Sequence, residues 1–128
     1  MQENSNPQLE DGYTRIANEL LEAMSLYPFT GGEARTLLVI LRSTYGYRGR
    51  KTVDISLTEL AKRTNLSRRH VVNVLNNLKE SFVITVTKDG DKNMLGINKS
   101  YTSWRLWISD WSKLLHFTTQ VNSGSPKW

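Results

Sequence analysis

The segment SLTELAKRTNLSRRHVVNVLNNLK, residues 56–79, constrains the fold more than any other part of the chain. It contains two short helical patterns of apolar residues, and a serine stands directly before each pattern. Serine is a favoured N-cap because its side-chain oxygen accepts a backbone N–H that the first helical turn leaves unpaired, and Glu59 completes a capping box with the first serine. The segment therefore predicts helices over residues 57–64 and about 67–79 joined by a tight turn, which is the helix-turn-helix pattern.

The second helix of this pair has two faces of different chemistry. Its apolar residues recur along one side, at Val71, Val74, Leu75 and Leu78. Because successive residues of a helix are about 100° apart, the opposite side presents Arg69, Asn73 and Asn76. An ordinary solvated face carries Glu and Lys in pairs, whereas asparagine is a poor helix former. Arginine bonds bidentately to guanine and asparagine to adenine, so this face favours recognition of a DNA major groove over a structural helix pair.

Upstream of this segment the sequence predicts two helices and a short strand. Apolar residues recur at helical spacing from Tyr13 to Met24 and predict a first helix. Thr30 followed by Glu33 is a capping box for a second, largely buried helix that stops at Gly46. The apolar stripe of that helix consists of Leu37, Leu38, Leu41 and Tyr45. The alternation in TVDIS then predicts a short strand that ends at Ser56.

Downstream of the helix pair the sequence predicts a β-hairpin and a further helix. FVITVT and MLGIN alternate weakly and flank Asp89-Gly90, a strong signal for a hairpin turn. Helices followed by such a hairpin form the winged-helix arrangement, in which the hairpin is the wing. From Trp104 the pattern becomes helical again and predicts a helix that closes over the first helix or makes dimer or partner contacts. Its apolar residues are Trp104, Trp107, Ile108, Trp111 and Leu115.

These elements predict a mainly α domain with a small β-hairpin, of the α+β class. The expected fold is a winged helix-turn-helix with an extra N-terminal helix and a C-terminal Trp-rich helix. Residues 1–12 are expected to form a flexible arm, residues 13–117 the DNA-binding domain and residues 118–128 a flexible tail.

The basic residues are unevenly distributed along the chain, whose formal net charge is +5. Residues 1–47 contain three basic and six acidic side chains and have a net charge of −3. Residues 48–128 contain 14 basic and six acidic side chains and have a net charge of +8. This asymmetry favours one electropositive face and a polyanionic partner. The predicted recognition surface is Ser67, Arg68, Arg69, His70, Asn73 and Asn76. The residues predicted to neutralise phosphates are Arg48, Arg50, Lys51, Lys62, Arg63 and, at the hairpin tip, Lys88 and Lys92.

The sequence contains no recognisable catalytic or metal-binding pattern. It has two histidines and no cysteine. Residues 89–93 imitate the start of a calcium loop, but Met94 and Ser100 stand where that loop needs glycine and glutamate, so a hairpin turn is favoured. No run approaches the roughly 20 apolar residues that span a bilayer, and the N-terminus is polar. We therefore expect a non-enzymatic, cytoplasmic protein with no cofactor and no membrane partner.

In these motifs the chain resembles the N-terminal domain of the bacteriophage replication protein O family, over about residues 12–104. The matching phrases are GYTRIANELLEAM (Gly12–Met24), TG-x-E-x-R-x-LL (Thr30–Leu38), RSTYGY (Arg42–Tyr47), ISLTELAKRTNLSRRHVVNVLNNL (Ile55–Leu78) and INKSYTSW (Ile97–Trp104). The first phrase is more diagnostic than the helix-turn-helix, which many unrelated regulators share. The resemblance implies a winged-helix domain that binds double-stranded DNA at repeated sites in a phage replication origin, often as a homodimer, and helps to recruit the replicative helicase or its loader.

Two other functions remain open for this pattern. A transcription regulator uses the same fold to block or recruit polymerase, and some winged helices bind proteins without any affinity for DNA. The glycine added in TGGEAR departs from the family's pattern and is expected to loosen the first turn of the second helix. In such proteins the helicase-recruiting part lies C-terminal to this domain, so a chain of 128 residues is expected to be an excised domain or a shortened protein that binds without recruiting.

Overall fold

The computed structural model describes residues 5–105, and within that range it contains four α-helices and a three-stranded antiparallel sheet. In chain order the elements are α1 (Asn18–Leu26), α2 (Gly31–Thr44), β1 (Thr52–Val53), α3 (Leu57–Thr64), α4 (Arg68–Glu80), β2 (Ile84–Asp89) and β3 (Lys92–Ile97). Single 3₁₀ turns lie at Leu9–Asp11 and Tyr101–Ser103. This order is that of a winged helix-turn-helix, and the predicted α+β class is confirmed. No helix in the described range is long and apolar enough to cross a membrane.

The helix-turn-helix pair, α3 and α4, forms where the sequence predicts it. Ser56 and Ser67 each accept a backbone N–H from three residues further on, that of Glu59 at 3.0 Å and that of His70 at 3.1 Å. Asn65 ends α3 in the left-handed conformation, with φ of 59°, which asparagine adopts more readily than most residues. The inward side chains of the pair pack with α2 in one core, whose fully buried members include Leu37, Ile40, Leu60, Val71 and Leu78.

Helix α2 contacts α3, α4, β1 and β3, and it carries the predicted capping box. The Thr30 hydroxyl accepts from the Glu33 N–H at 3.2 Å, and the Glu33 carboxylate accepts from the Thr30 N–H at 2.8 Å. Leu37 and Leu41 are buried as predicted, but Leu38 is 63% exposed, so its assignment to the buried stripe is wrong. Leu38 lies about 100° around the helix from Leu37, which turns it out of the buried side.

Helix α1 is shorter than its apolar spacing predicts. It begins at Asn18, and its N-cap residue, Ala17, has extended backbone with φ of −63° and ψ of 139°. The prediction of a helix from Tyr13 is therefore wrong, since Tyr13 is 63% exposed and lies beside the loop that follows α2. Full burial begins only at Leu20, so packing against the core stabilises helical turns from Asn18 onward and the preceding residues follow the surface.

The predicted wing is the larger part of a sheet with the strand order β1-β3-β2. Strands β2 and β3 pair from Ile84 opposite Ile97 to Asp89 opposite Lys92, which leaves a two-residue turn. Gly90 takes the first turn position with φ of 64°, the region that a type II′ turn requires there. The strand predicted in TVDIS forms only over its first two residues, which pair with the end of β3 that is far from the turn.

The indole of Trp104 closes the core instead of starting a helix. Its side chain is 3% exposed, and its ring lies 5.7 Å from the Tyr27 ring and 6.2 Å from the Phe29 ring, just beyond the end of α1. Its Nε1–H donates to the Asn98 carbonyl at 2.8 Å. Because its backbone is extended, with φ of −64° and ψ of 130°, the predicted helix does not begin here. The rest of that prediction, residues 107–115, lies outside the described residues.

Candidate nucleic-acid interface

The first turn of α4 presents two arginines on a capped helix end. Ser67 fixes the cap, the turn contains no acidic residue, and Arg68 and Arg69 are both exposed. A positive charge at an exposed helix N-terminus opposes the helix dipole and costs about 0.3–1 kcal/mol. Two such charges without a carboxylate in the same turn lower the stability of the fold slightly. They leave a helix end that attracts anions, with guanidinium donors exposed to solvent.

The outer face of α4, defined by Arg69, Asn73 and Asn76, is exposed along its whole length. Val72 flanks this face and is 37% exposed. The opposite side is buried, through Val71, Val74 and Leu78. The predicted division of the helix into a core side and an exposed polar side is therefore confirmed for the part of the chain that the structure describes.

His70, which the sequence placed in the recognition surface, lies against the first turn of α2 while much of its side chain stays exposed. A β-carbon placed on Gly32 would lie 2.9 Å from His70 Nε2 and 3.3 Å from a Val74 methyl group. Gly32 is buried and thus allows the first turns of α2 and α4 to approach closely. With this glycine in TGGEAR the capping box of α2 is complete, and the glycine serves the packing of the two helices.

The Gly32→Ala variant is expected to be less stable than the Gly31→Ala variant by about 1 kcal/mol or more. Of the two added methyl groups, only the one at residue 32 meets neighbouring atoms. No atom of the described residues lies within 4 Å of a β-carbon on Gly31, so alanine there should gain its usual helix preference of up to about 1 kcal/mol. Urea denaturation of the two variants measures the difference. Equal stabilities would mean that the His70 ring swings aside without cost and that Gly32 does not set the spacing.

The two lysines of the wing tip point to opposite faces of the hairpin. Lys88 is paired with Asn93, and Lys92 is paired with Asp89. Because successive strand residues alternate between faces, Lys88 and Asn93 share the side of the buried Ile84, on which α4 packs. Lys92 and Asp89 lie on the other side. The two lysines therefore do not form one group as predicted, and Asn93, which the sequence did not indicate, lies beside Lys88 through the cross-strand register.

The two basic residues of α3, Lys62 and Arg63, differ in their contacts. Lys62 is exposed. The Arg63 guanidinium donates to the Ser43 hydroxyl at 3.0 Å and so ties the last turn of α3 to α2. Arg35 makes a second link between these helices, since its guanidinium donates to the Thr64 carbonyl at 3.4 Å. Arg63 therefore orients the helix-turn-helix pair in addition to its predicted contact with phosphate.

Three of the predicted phosphate contacts lie in the loop between α2 and β1 and line a cleft of about 850 Å³: Arg48, Arg50 and Lys51. This loop leads into β1, where Thr52 is paired with Gly96. Gly96 lies four residues along β3 from Lys92 at the wing tip, or about 13 Å at about 3.3 Å per residue. The structure therefore places Arg48 and Lys51 in this cleft, whereas Arg50 lines both the cleft and a smaller depression shared with Arg63 of α3.

Two basic residues that the sequence analysis did not assign line the same cleft, Arg15 and Lys99. Arg15 precedes α1, and Lys99 follows β3. No local pattern joins residues so far apart in the chain. The pairing of β1 with β3 brings the segment of Lys99 to the same cleft as Lys51. A two-residue strand is too short for its pairing to be predicted from the sequence.

Within residues 5–105, no group of three His, Cys, Asp or Glu side chains is placed to hold a metal ion. The residues that imitate the start of a calcium loop form the tip of the wing, with Asp89 ending β2 and Asp91 following the turn glycine. The predicted hairpin turn is confirmed.

Comparison with protein families gives a match over most of the chain. The family model described as bacteriophage replication protein O matches residues 6–104. This range includes all four helices, the three strands and Trp104.

Three curated phage proteins are similar in sequence. The chain is 36% identical over 104 residues to replication protein O of Escherichia phage lambda, 31% over 115 residues to DNA replication protein gp18 of Salmonella phage P22 and 31% over 98 residues to replication protein 15 of Enterobacteria phage phi80. In the same order, the matches cover 80%, 89% and 77% of this chain but 29%, 40% and 32% of the relatives. The chain therefore spans about a third of the length of these proteins.

Two solved structures are similar in fold. The M. tuberculosis transcriptional regulator MosR aligns with a TM-score of 0.45 and 19% identity, over 82% of this chain and 79% of that one. Bordetella bronchiseptica BpsR aligns with a TM-score of 0.43 and 15% identity, over 85% and 74%.

Proposed function

The chain belongs to the bacteriophage replication protein O family, and from that premise we propose that it is a non-enzymatic, sequence-specific binder of double-stranded DNA at repeated sites in a phage replication origin. One observation carries the proposal. The outer face of α4 exposes Arg69, Asn73 and Asn76 on a helix whose opposite side is buried. These side chains distinguish guanine and adenine by paired hydrogen bonds to their major-groove edges.

In the proposed complex, α4 lies in the major groove and its N-terminal turn meets the base edges first. Arg69 bonds to guanine O6 and N7, while Asn73 and Asn76 face adenines further along the groove. Arg68, about 100° around the helix, contacts a phosphate at the edge of the groove, where the capped helix end also attracts negative charge. The basic residues of α3 neutralise nearby phosphates, which adds affinity without sequence preference.

The wing supplies the second set of contacts in this proposal. Lys88→Ala is expected to weaken binding to every duplex and to reduce the slope of log K against log salt by about one unit, because Lys88 shares the face on which α4 packs. Lys92→Ala removes the same charge from the opposite face and is expected to have a smaller effect. Titrations of one duplex at several salt concentrations measure both slopes. A larger loss for Lys92→Ala would mean that the wing approaches DNA with its other face.

We also propose that the protein acts at a replication origin and assembles there with other proteins. The names of the three relatives, all replication proteins of phages, support a role in replication. Binding as a homodimer to repeated sites is proposed from the family resemblance. Recruitment of the replicative helicase or its loader is likewise proposed from the family resemblance.

Selection of bound duplexes from a random pool, at several salt concentrations, tests the function. We expect a recurring motif that contains guanine and adenine, with clustered matches inside a phage replication gene. A single match beside a promoter would instead favour a transcription regulator with the same fold. The absence of any salt-dependent retention on duplex DNA would overturn the proposal and favour a protein-interaction winged helix.

A further inference from the structure

We propose that the cleft beside β1 is a second nucleic-acid site, which binds one single strand and lies outside the duplex interface. This basic cleft, as we call it, is the space of about 850 Å³ between residues 13–15, residues 45–51 and the end of β3. No carboxylate is among the described residues that line it. Its basic side chains are Arg15, Arg48, Arg50, Lys51 and Lys99. A cleft whose charged lining residues, among those described, are all cations is suited to a polyanion.

Two of these cations, Arg50 and Lys99, lie over tyrosine rings, as does Arg42 beside the cleft. The Arg50 guanidinium lies 4.7 Å from the centre of the Tyr47 ring, and the Arg42 guanidinium lies 5.2 Å from the same ring. The Lys99 ammonium lies 5.4 Å from the centre of the Tyr45 ring. A cation held on a ring face keeps its N–H donors for another partner, whereas a carboxylate would occupy them. Donors that are already positioned lower the entropy cost of binding a phosphate.

The tyrosines of the basic cleft also suit a nucleic-acid base. Tyr13 is 63% exposed at the rim, where a base can stack on its ring. The Tyr45 hydroxyl is buried and has no hydrogen-bond partner among the described residues. Burial raises the pKa of Tyr45, so this hydroxyl stays protonated. Exposed rings combined with cations in a groove are typical of sites for single strands.

Size and position favour a single strand over a duplex. A space of 850 Å³ is equivalent to a cube of about 9–10 Å, whereas the major groove of a duplex is by itself about 12 Å wide. The pairing of Thr52 with Gly96 puts the basic cleft about 13 Å or more along β3 from the wing tip. In this proposal a duplex held by α4 and the wing leaves the cleft open, so that one domain contacts both forms of DNA.

Fluorescence anisotropy of the 128-residue chain with a labelled thymidine oligonucleotide of about 12 nucleotides tests the site. The cleft variant, Arg15→Gln with Lys99→Gln, is expected to lose about tenfold or more in affinity and to reduce the salt slope by about 1.4 units. Tyr13→Leu is expected to lose about fivefold or more, the lower limit for base stacking. The matched control, Arg68→Gln with Lys88→Gln, removes the same charge from the duplex side and should bind the oligonucleotide nearly as well as the parent chain.

Four outcomes would overturn the proposal. Equal losses in the cleft and control variants would mean that only net charge matters. Displacement of the oligonucleotide by a saturating selected duplex would place the strand on α4. A greater loss of duplex than of single-strand affinity in the cleft variant would extend the duplex interface to the cleft. Thymidine monophosphate binding as tightly as the oligonucleotide would make this a mononucleotide site. Failure of the duplex selection is a separate result, since the oligonucleotide assay requires no sequence preference.

Discussion

Replacement of Arg69 by alanine is expected to reduce the affinity for a selected duplex by about 1–3 kcal/mol, which is about 5- to 150-fold, and to remove the preference at one base position. Arg69 stands in the first turn of α4, exposed and on the side opposite the buried residues. In the groove it would make two parallel hydrogen bonds to one guanine. Binding to a set of duplexes that differ by one base pair each would identify the position whose preference is lost.

Arg68→Ala is the matched control for this prediction. It removes the same charge from the same helical turn, but from a residue directed at phosphate in the proposed complex. We expect uniform weakening over all duplexes, a salt slope lower by about one unit and no change in base preference. If Arg69→Ala left affinity and preference unchanged, or if both variants lost affinity equally at every sequence, the placement of α4 in the groove would be wrong.

Neither substitution should act by unfolding the protein. Each removes a positive charge that opposes the dipole of α4, so the thermal stability without DNA is expected to be unchanged or to rise by the equivalent of about 0.3–1 kcal/mol. The pairing of lower affinity with equal or higher stability is the signature of a residue retained for binding. A loss of stability in either variant would mean that the arginine has a structural contact.

The helix-turn-helix could be predicted from the sequence because its signals are local. Each cap depends on a serine hydroxyl and an N–H three residues away, and these bonds form in the structure as expected. The alternation of apolar and polar residues in α4 likewise needs only the helical period, so its outer face was assigned correctly. The same holds for the wing turn at Gly90, whose φ of 64° follows from the glycine itself.

Features that depend on tertiary packing could not be predicted in this way. Tyr13 shares the helical period of α1, but it lies outside the core and its segment is not helical. Leu38 is as apolar as Leu37 and differs only in the side of α2 on which it lies. The basic cleft joins segments from both ends of the described chain, and only the pairing of β1 with β3 brings them together.

The largest expected effect on stability is that of replacing Trp104. Trp104→Ala is expected to lower the free energy of unfolding by about 3–5 kcal/mol, because the indole is 3% exposed and packs on the Tyr27 and Phe29 rings. This is a large share of the roughly 5–15 kcal/mol that stabilises an ordinary domain. Urea denaturation followed by circular dichroism measures the loss.

Trp104→Phe separates packing from hydrogen bonding. It keeps an aromatic ring but loses the Nε1–H donor to the Asn98 carbonyl, so we expect a loss of about 1–3 kcal/mol, smaller than that of the alanine variant. Asn98 also donates through its side chain to the Phe82 carbonyl, which connects the end of β3 to the end of α4. Duplex affinity at a temperature where the variants remain folded should be unchanged, because the outer face of α4 is untouched. A change in sedimentation with little loss of stability would instead assign Trp104 to a contact between subunits.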